Sequence, residues 1–198
     1  MITIIDYGMG NLRSVQKAFE FLGYDAIISS DPKEIANATK LILPGVGAFK
    51  DAMKNLNDKD LITPIKHVVS QGIPFLGICL GMQLLLDQSY EHGQCDGLSL
   101  ISGEVVPFKH TDLKVPHMGW NNLIARNNTL FDQSDDQFVY FVHSFYASKV
   151  ADENIIATCN YGHDFVAAIN KDNVYGLQFH PEKSGDIGLD MLKRFAQL

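Results

Sequence analysis

Three short segments carry residue types that together could perform acyl transfer. In Gly77-Ile78-Cys79-Leu80-Gly81 a cysteine stands between two glycines, after an apolar run and ahead of a helical pattern. That is the pattern of a nucleophile elbow, where a tight turn strains the central residue and small neighbours let its side chain project clear of a sheet. The thiolate is the reactive form, and at an ordinary thiol pKa of about 8.5 only roughly 3% is ionised at pH 7. A helix N-terminus and a nearby imidazole both favour the anion. The alternative for Cys79 is a small buried hydrophobe, the commonest fate of a free cysteine.

The second segment is Gln178-Phe179-His180-Pro181-Glu182. Pro181 pushes His180 towards extended geometry, and residues two apart on an extended segment can face the same side. Glu182 can then hold the ring of His180 and fix its tautomer while His180 takes the proton of Cys79. Read alone, the pair is equally a turn histidine beside a surface glutamate. Next to a cysteine elbow it supplies the base and the orienting acid. The third segment, Pro44-Gly45-Val46-Gly47, follows an apolar run. The N–H groups of Val46 and Gly47, with that of Leu80, can face a developing oxyanion. An ordinary strand-to-helix turn is the other reading of that loop.

The elements needed to position these groups are legible in outline. Ile2–Asp6, Ala26–Ile28, Lys40–Leu43 and Pro74–Ile78 are short apolar runs that read as strands. Between them Leu12, Val15, Ala18, Phe19 and Leu22 recur at helical spacing, with Gly23 placed as a C-terminal cap. Asp31-Pro32-Lys33-Glu34 has the form of an N-cap, a first-position proline and a capping-box acid. One or two helices fill about 49–71, and another is expected over Met82–Asp87. Repeated β-α-β units with apolar strands imply a mostly parallel sheet covered on both faces. The second half changes to short β-like runs: Glu104–Phe108, Phe138–Val142, Ile155–Cys159, Phe165–Ile169 and Val174–Phe179. Asn170–Asn173 reads as a hairpin loop, and a last helix lies near Ile187–Ala196. No repeat or linker interrupts the 198 residues, so one domain over 1–198 is expected.

Bulk composition narrows the function. With 16 Lys+Arg against 23 Asp+Glu the formal charge is −7, which a phosphate backbone would repel, so no nucleic-acid partner is expected. No apolar run approaches the roughly 20 residues that span a bilayer, and the N-terminus lacks a basic signal-peptide region. Cys79, Cys95 and Cys159 are widely spaced without a CxxC pair, which suits a reducing, cytoplasmic setting. Asp6-Tyr7-Gly8-Met9-Gly10-Asn11 suggests a dinucleotide loop, but its third glycine would fall where Arg13 stands. His110 and His117 lack ligand spacing to any cysteine or acid. No cofactor and no metal are expected.

Taken together, Pro44-Gly45-Val46-Gly47, Gly77-Ile78-Cys79-Leu80-Gly81-Met82-Gln83 and His180-Pro181-Glu182 resemble the class I, triad-type glutamine amidotransferases, in order and spacing across nearly the whole chain. The resemblance implies a flavodoxin-like α/β sandwich, its mostly parallel central sheet flanked by helices and extended by antiparallel strands from the second half. It implies a γ-glutamyl thioester on Cys79 and a substrate contact from Gln83. It also implies that Glu91 holds the ammonium end of glutamine, with backbone contacts from His143, Ser144 and Phe145. Asp6–Leu12, Pro116–Asn121 and His180–Ser184 are similar to the glutaminase subunits that dock on a (β/α)₈-barrel cyclase subunit in histidine biosynthesis. That narrower likeness makes Asn11, Trp120 and Lys183 candidates for the docking face or the ammonia route. It also implies a loop at Gly45–Gly47 that is poorly arranged until the partner docks. For Trp120 a buried core aromatic is the other reading. Rival functions are another amidotransferase glutaminase, a cysteine peptidase with a similar elbow, and a regulatory module with an idle triad.

Overall fold

The computed structural model describes residues 1–108, 113–126, 128–131 and 137–198. His110 lies outside these. The first half alternates β1 (Ile2–Ile5), α1 (Leu12–Phe21), β2 (Ala26–Ser29), α2 (Pro32–Ala36), β3 (Leu41–Gly45), α3 (Phe49–Asp58), α4 (Ile62–Ser70), β4 (Phe75–Cys79) and α5 (Leu80–Leu84). β1, β3 and β4 are buried at every position, as strands covered on both faces must be. They pair in parallel, with β2 beside β1, β1 beside β3 and β3 beside β4.

The second half adds β5 (Gln88–Ser89), β6 (Cys95–Asp96), β7 (Glu104–Pro107), β8 (His117–Ala125), β9 (Gln137–His143), β10 (Phe145–Ser148), β11 (Ile155–Asn160), β12 (Asp164–Lys171) and β13 (Val174–Leu177), and ends in α6 (Gly185–Gln197). β13 returns to lie parallel to β4, with Leu177 opposite Ile78. From there the pairing turns antiparallel through β12 to β10 and β7, while β11, β8 and β9 branch off β12. The expected mostly parallel sheet with an antiparallel extension is what forms.

Strand alternation divides the core between the two faces. Ile4, Ile42 and Ile78 meet Val15 and Phe19 of α1 and Met191, Leu192 and Phe195 of α6. Ile5, Leu41, Leu43 and Phe75 meet Ile35, Phe49, Leu56, Ile65 and Leu84 from the helices of the other face. Each large side chain so buried contributes about 1.5–3 kcal/mol, enough to pin β3, β4 and β13 side by side. The segments that leave their carboxyl ends are therefore neighbours, and those segments are the three whose residue types suit acyl transfer.

Several expectations change in detail. Gly23 does end α1, at φ +82, with Tyr24 N–H reaching back to Phe19 O. Asp31 caps α2 through Lys33 N–H, but Glu34 does not close a capping box. Its carboxylate accepts instead from Ser29 Oγ, which in turn accepts from Asp31 N–H. α5 starts at Leu80, two residues earlier than expected, because it begins directly at the cysteine turn, and it stops at Leu84, before the paired residues of β5. The hairpin loop shortens to Asp172-Asn173, since Lys171 pairs with Val174. β8 and β10 lie outside the expected strands. β8 hides from a pattern search because its alternation is inverted: Met118, Trp120 and Ile124 are exposed, while His117 and Leu123 are buried.

α6 crosses the Pro181–Lys183 turn at Gly188, where an added Cβ would lie 2.0 Å from Pro181 O and 2.7 Å from Ser184 Cβ. Gly188→Ala should therefore push α6 off this turn and cost about 1–3 kcal/mol as overpacking. Urea unfolding checks it, and a Gly188→Ala protein as stable as wild type would contradict the packing described.

Candidate active site

β4 ends and α5 begins at Cys79, whose backbone sits at φ +56, ψ −111. A non-glycine residue there is strained, and such strain persists only where the surroundings over-determine it. The surroundings do so by contact. A Cβ on Gly81 would stand 1.8 Å from Leu43 O, and one on Gly77 would stand 2.5 Å from Gly81 O. The first turn of α5 thus lies directly on β3 and β4, and only glycines permit it. The turn leaves Cys79 just 6% exposed, at the start of a helix. Its Sγ has Val142 O and Gln178 Nε2 each at 3.9 Å.

Gln178 to Glu182 continue from β13 at the same end of the sheet. His180 N–H donates to Tyr140 O at 2.9 Å, which ties the segment to β9. Pro181 opens a short 3₁₀ turn over Pro181–Lys183, and this turn folds Glu182 back so that its Oε1 lies 2.9 Å from His180 Nδ1. Both side chains are almost fully buried. Nδ1–H faces the carboxylate, and Nε2 is buried without a hydrogen-bond partner among the described residues. Burial alone would lower the pKa of His180, but its interaction with Cys79 and the hydrogen bond and charge of Glu182 outweigh it and raise it to about 9. The shift favours the protonated ring, the form that can give a proton to a leaving group. Ser184, also buried, accepts from Tyr140 N–H and donates to His180 O, closing the turn.

Cys79 opens on a cleft of about 400 Å³ lined by Val46, Gly47, Leu80, Gln83, Glu91 and the strand residues Val142 to Phe145, with Pro116 at its margin. Every residue singled out for the oxyanion or the substrate lies on this wall. Val46 is exposed and Gly47 takes φ +103, so the loop after β3 is built on a glycine-only conformation. Gln83 is more committed than a free contact residue: its Nε2 donates to Phe145 O and to Gln178 Oε1, both at 3.0 Å. Its own Oε1 remains for a ligand. Glu91 accepts from Phe49 N–H at 2.7 Å, capping α3 where Ala48 cannot. One carboxylate oxygen is thus held by a helix N-terminus while the residue lines the cleft.

Trp120 is not a core aromatic. It is 56% exposed, against the edge of Tyr140, and Lys183 Nζ sits 6.0 Å from the Tyr140 ring centroid. Asn11 stands at the start of α1, at the same sheet end, with no side-chain capping bond to occupy it. Residue-type reasoning missed Gln178, Ser184 and Tyr7. Tyr7 is fully buried, and its pKa is raised by burial and then by the charge of Cys79. It also missed that His117 and His143 form one buried pair, 2.9 Å between ring nitrogens. Among the described residues no cluster of histidine, cysteine and acid side chains could hold a metal ion, and no helix is long and apolar enough to cross a membrane.

A strained cysteine at a strand–helix turn, a carboxylate-held histidine and an adjacent glycine loop define an amidase of the cysteine-triad type. A family model for class I glutamine amidotransferases matches residues 3–197. The chain is 53% identical to the imidazole glycerol phosphate synthase subunit HisH of Geobacter metallireducens, over 98% of this chain and 97% of that protein. It is 54% identical to the subunit of the same name from Methanosarcina barkeri, over 100% and 98%. Among solved structures, PurLQS from Thermotoga maritima superposes with a TM-score of 0.78 at 20% identity, covering 99% of this chain and 97% of that one. A structure described as a glutamine amidotransferase gives 0.77 at 16%, covering 99% and 100%. The chain belongs to the class I glutamine amidotransferase family, among its HisH members.

His117 and His143 give the site a pH signature. Burial lowers the first to about 4 and the second to about 3. A base whose folded pKa is lowered binds its proton more readily when unfolded, so stability falls as pH drops below the unfolded value near 6.5. His180, raised, acts in the opposite sense with a small gain just below 6.5, which ends once the unfolded ring is charged as well. Urea unfolding between pH 6.5 and 5 should show wild type losing stability, and His143→Gln losing distinctly less. Equal slopes would contradict the burial of this pair as neutral rings.

Proposed function

We propose that this chain is the glutaminase subunit of an imidazole glycerol phosphate synthase, acting as one domain in the cytoplasm with a (β/α)₈-barrel cyclase subunit. The observation that carries the reading is the convergence of Cys79, His180 and Glu182 at one end of the sheet, on a cleft walled by Gln83 and Glu91. The resemblance to HisH subunits over the full chain supports the partner.

The geometry supports the following sequence. Glutamine enters with its γ-carboxamide against Cys79, held by Gln83 Oε1 and the backbone of His143–Phe145. Glu91 faces its ammonium group. The thiolate adds to the amide carbon, forming the C–S bond, and the oxygen takes the electron pair. N–H groups of Leu80 and of the Val46-Gly47 loop stabilise that oxyanion, each worth about 10²–10³ in rate. His180, held by Glu182, donates its proton to the departing nitrogen as the C–N bond breaks, and ammonia leaves. Water, its proton taken by His180, then cleaves the thioester to glutamate. The net change is glutamine plus water to glutamate plus ammonia. No cofactor takes part.

A partner is chemically sensible because free ammonia would be protonated and lost. The surface next to the triad suits one: Met118 and Trp120 on β8 face Val142 and Tyr140 across the ribbon, and Met118, Trp120, Ile124 and Phe138 are all exposed. Tyr140 and Val142 are the residues whose carbonyls touch His180 and Cys79. Docking there, with Asn11 and Lys183 alongside, would press on the backbone that holds the triad. In this reading the Gly45–Gly47 loop reorients on docking and brings an N–H to the oxyanion.

Glutamate release by the purified chain should be slow alone and rise strongly with the cyclase subunit and its ribonucleotide substrate. Cys79→Ser should abolish it in both conditions. Trp120→Ala should lower affinity for the cyclase by about ten- to a hundredfold, as expected for an exposed aromatic anchor. A full rate from the isolated chain would overturn the docking-dependent loop, and no release under any condition would overturn the function.

A further inference from the structure

The strand that walls the cleft breaks between β9 and β10, at His143-Ser144-Phe145, where the ladder cannot satisfy every backbone group. Side chains do so instead. Phe145 O accepts from Gln83 Nε2 at 3.0 Å and lies 2.9 Å from His143 Nδ1, so both of its lone pairs are engaged. A carbonyl cannot donate, hence His143 Nδ1 carries its hydrogen and its Nε2 is an acceptor. His143 Nε2 lies 2.9 Å from His117 Nδ1, so that nitrogen must be the donor. His117 Nε2 then accepts from Asn121 Nδ2, 3.3 Å away, and the second Asn121 hydrogen goes to Asn160 O at 2.9 Å. The one carbonyl dictates every tautomer along the line. Both rings are buried, and His117 is stacked between Phe141 and Tyr161 at centroid distances of 4.7 and 4.0 Å.

A second proton has no place in this line. Protonating His143 would aim Nε2–H at His117 Nδ1–H, and tautomerising His117 would aim its own Nε2–H at Asn121 Nδ2–H. Burial of both rings as neutral species agrees with this. The line has a direction in the fold as well. It starts on β8, one residue from exposed Met118 and three from exposed Trp120, and it ends on the cleft wall.

We propose that His117, acting through His143, is a positioning residue for substrate: a neutral histidine relay with fixed tautomers that sets the orientation of the Ser144-Phe145 backbone in the glutamine cleft. His117 touches neither substrate nor Cys79 in this role. The proposal rests on the glutaminase reading for its kinetic effect, but the tautomers are a property of the chain itself.

His117→Phe keeps the stacking and deletes the donor, whereas His117→Gln can still donate to His143 Nε2. With the cyclase partner present, His117→Phe should raise the KM for glutamine about tenfold, equivalent to about 1.4 kcal/mol, with kcat within about twofold. His117→Gln should recover most of that loss. Independently, nitrogen-15 NMR of the histidine-labelled wild-type chain at pH 6 should show neutral Nδ1–H rings at both His117 and His143. Either ring found as the Nε2–H tautomer or as a cation overturns the proposal, whatever the kinetics. So does a His117→Phe protein with unchanged KM, or one in which KM and kcat suffer alike and His117→Gln fails to rescue. Absence of glutamine hydrolysis in wild type would count against the glutaminase reading, and the NMR result would still decide the relay.

Discussion

The contact between the first turn of α5 and the carbonyl of Leu43 governs this molecule. Because Gly81 has no side chain, α5 can begin one residue after β4 ends, and the backbone must then turn at Cys79 through a positive φ. Strain of about 1–3 kcal/mol is concentrated on Cys79, a largely buried residue that still opens on the cleft at the start of a helix. The core on both faces of the sheet supplies what holds the strain in place. It fixes β3, β4 and β13 as parallel neighbours, so that the Gly45–Gly47 loop, Cys79 and the His180 segment leave the sheet at one end.

The rest of the site is a problem of satisfying buried polar groups. His180 and Glu182 satisfy each other, and Ser184 closes the turn that brings them together. Gln178, Gln83, Phe145 O, His143 and His117 form a continuous line from the thiol to β8, with each donor assigned by the acceptor it meets. Such a network defines one arrangement of the cleft wall, since breaking any link leaves a buried polar atom that costs about 1–3 kcal/mol. The same ribbon, β8 with β9, turns an apolar outer face to solvent. The cleft wall and the exposed apolar face are therefore two sides of one pair of strands.

Much of this was legible in the sequence, for reasons that can be named. Cys79, His180 and Glu182 stand in segments whose local chemistry is self-contained: two glycines allow a turn, and one proline brings an acid to a histidine, though through a 3₁₀ turn rather than the extended segment expected. The parallel strands were legible because burial on both faces leaves uninterrupted apolar runs. The capping-box reading of Glu34 failed because Ser29, on the neighbouring strand, offered a competing hydroxyl. β8 was missed because its apolar side chains face solvent, which reverses the usual alternation of apolar and polar residues. Glu91 as the cap of α3, 42 residues away, and Gln178 as the bridge between Gln83 and Cys79 are tertiary facts. Nothing in the local sequence around either residue announces its partner.

The proposed reaction requires glutamine to bind in this cleft with its side-chain carboxamide carbon at Cys79. The most direct measurement is mass-spectrometric mapping after exposure to a diazoketone analogue of glutamine, which alkylates a nucleophile where the γ-carboxamide would sit. One equivalent of label on Cys79, suppressed by excess glutamine and absent from Cys95 and Cys159, is the expected result. Label on Cys95 or Cys159 at comparable rate, or labelling of Cys79 that glutamine does not suppress, would contradict it.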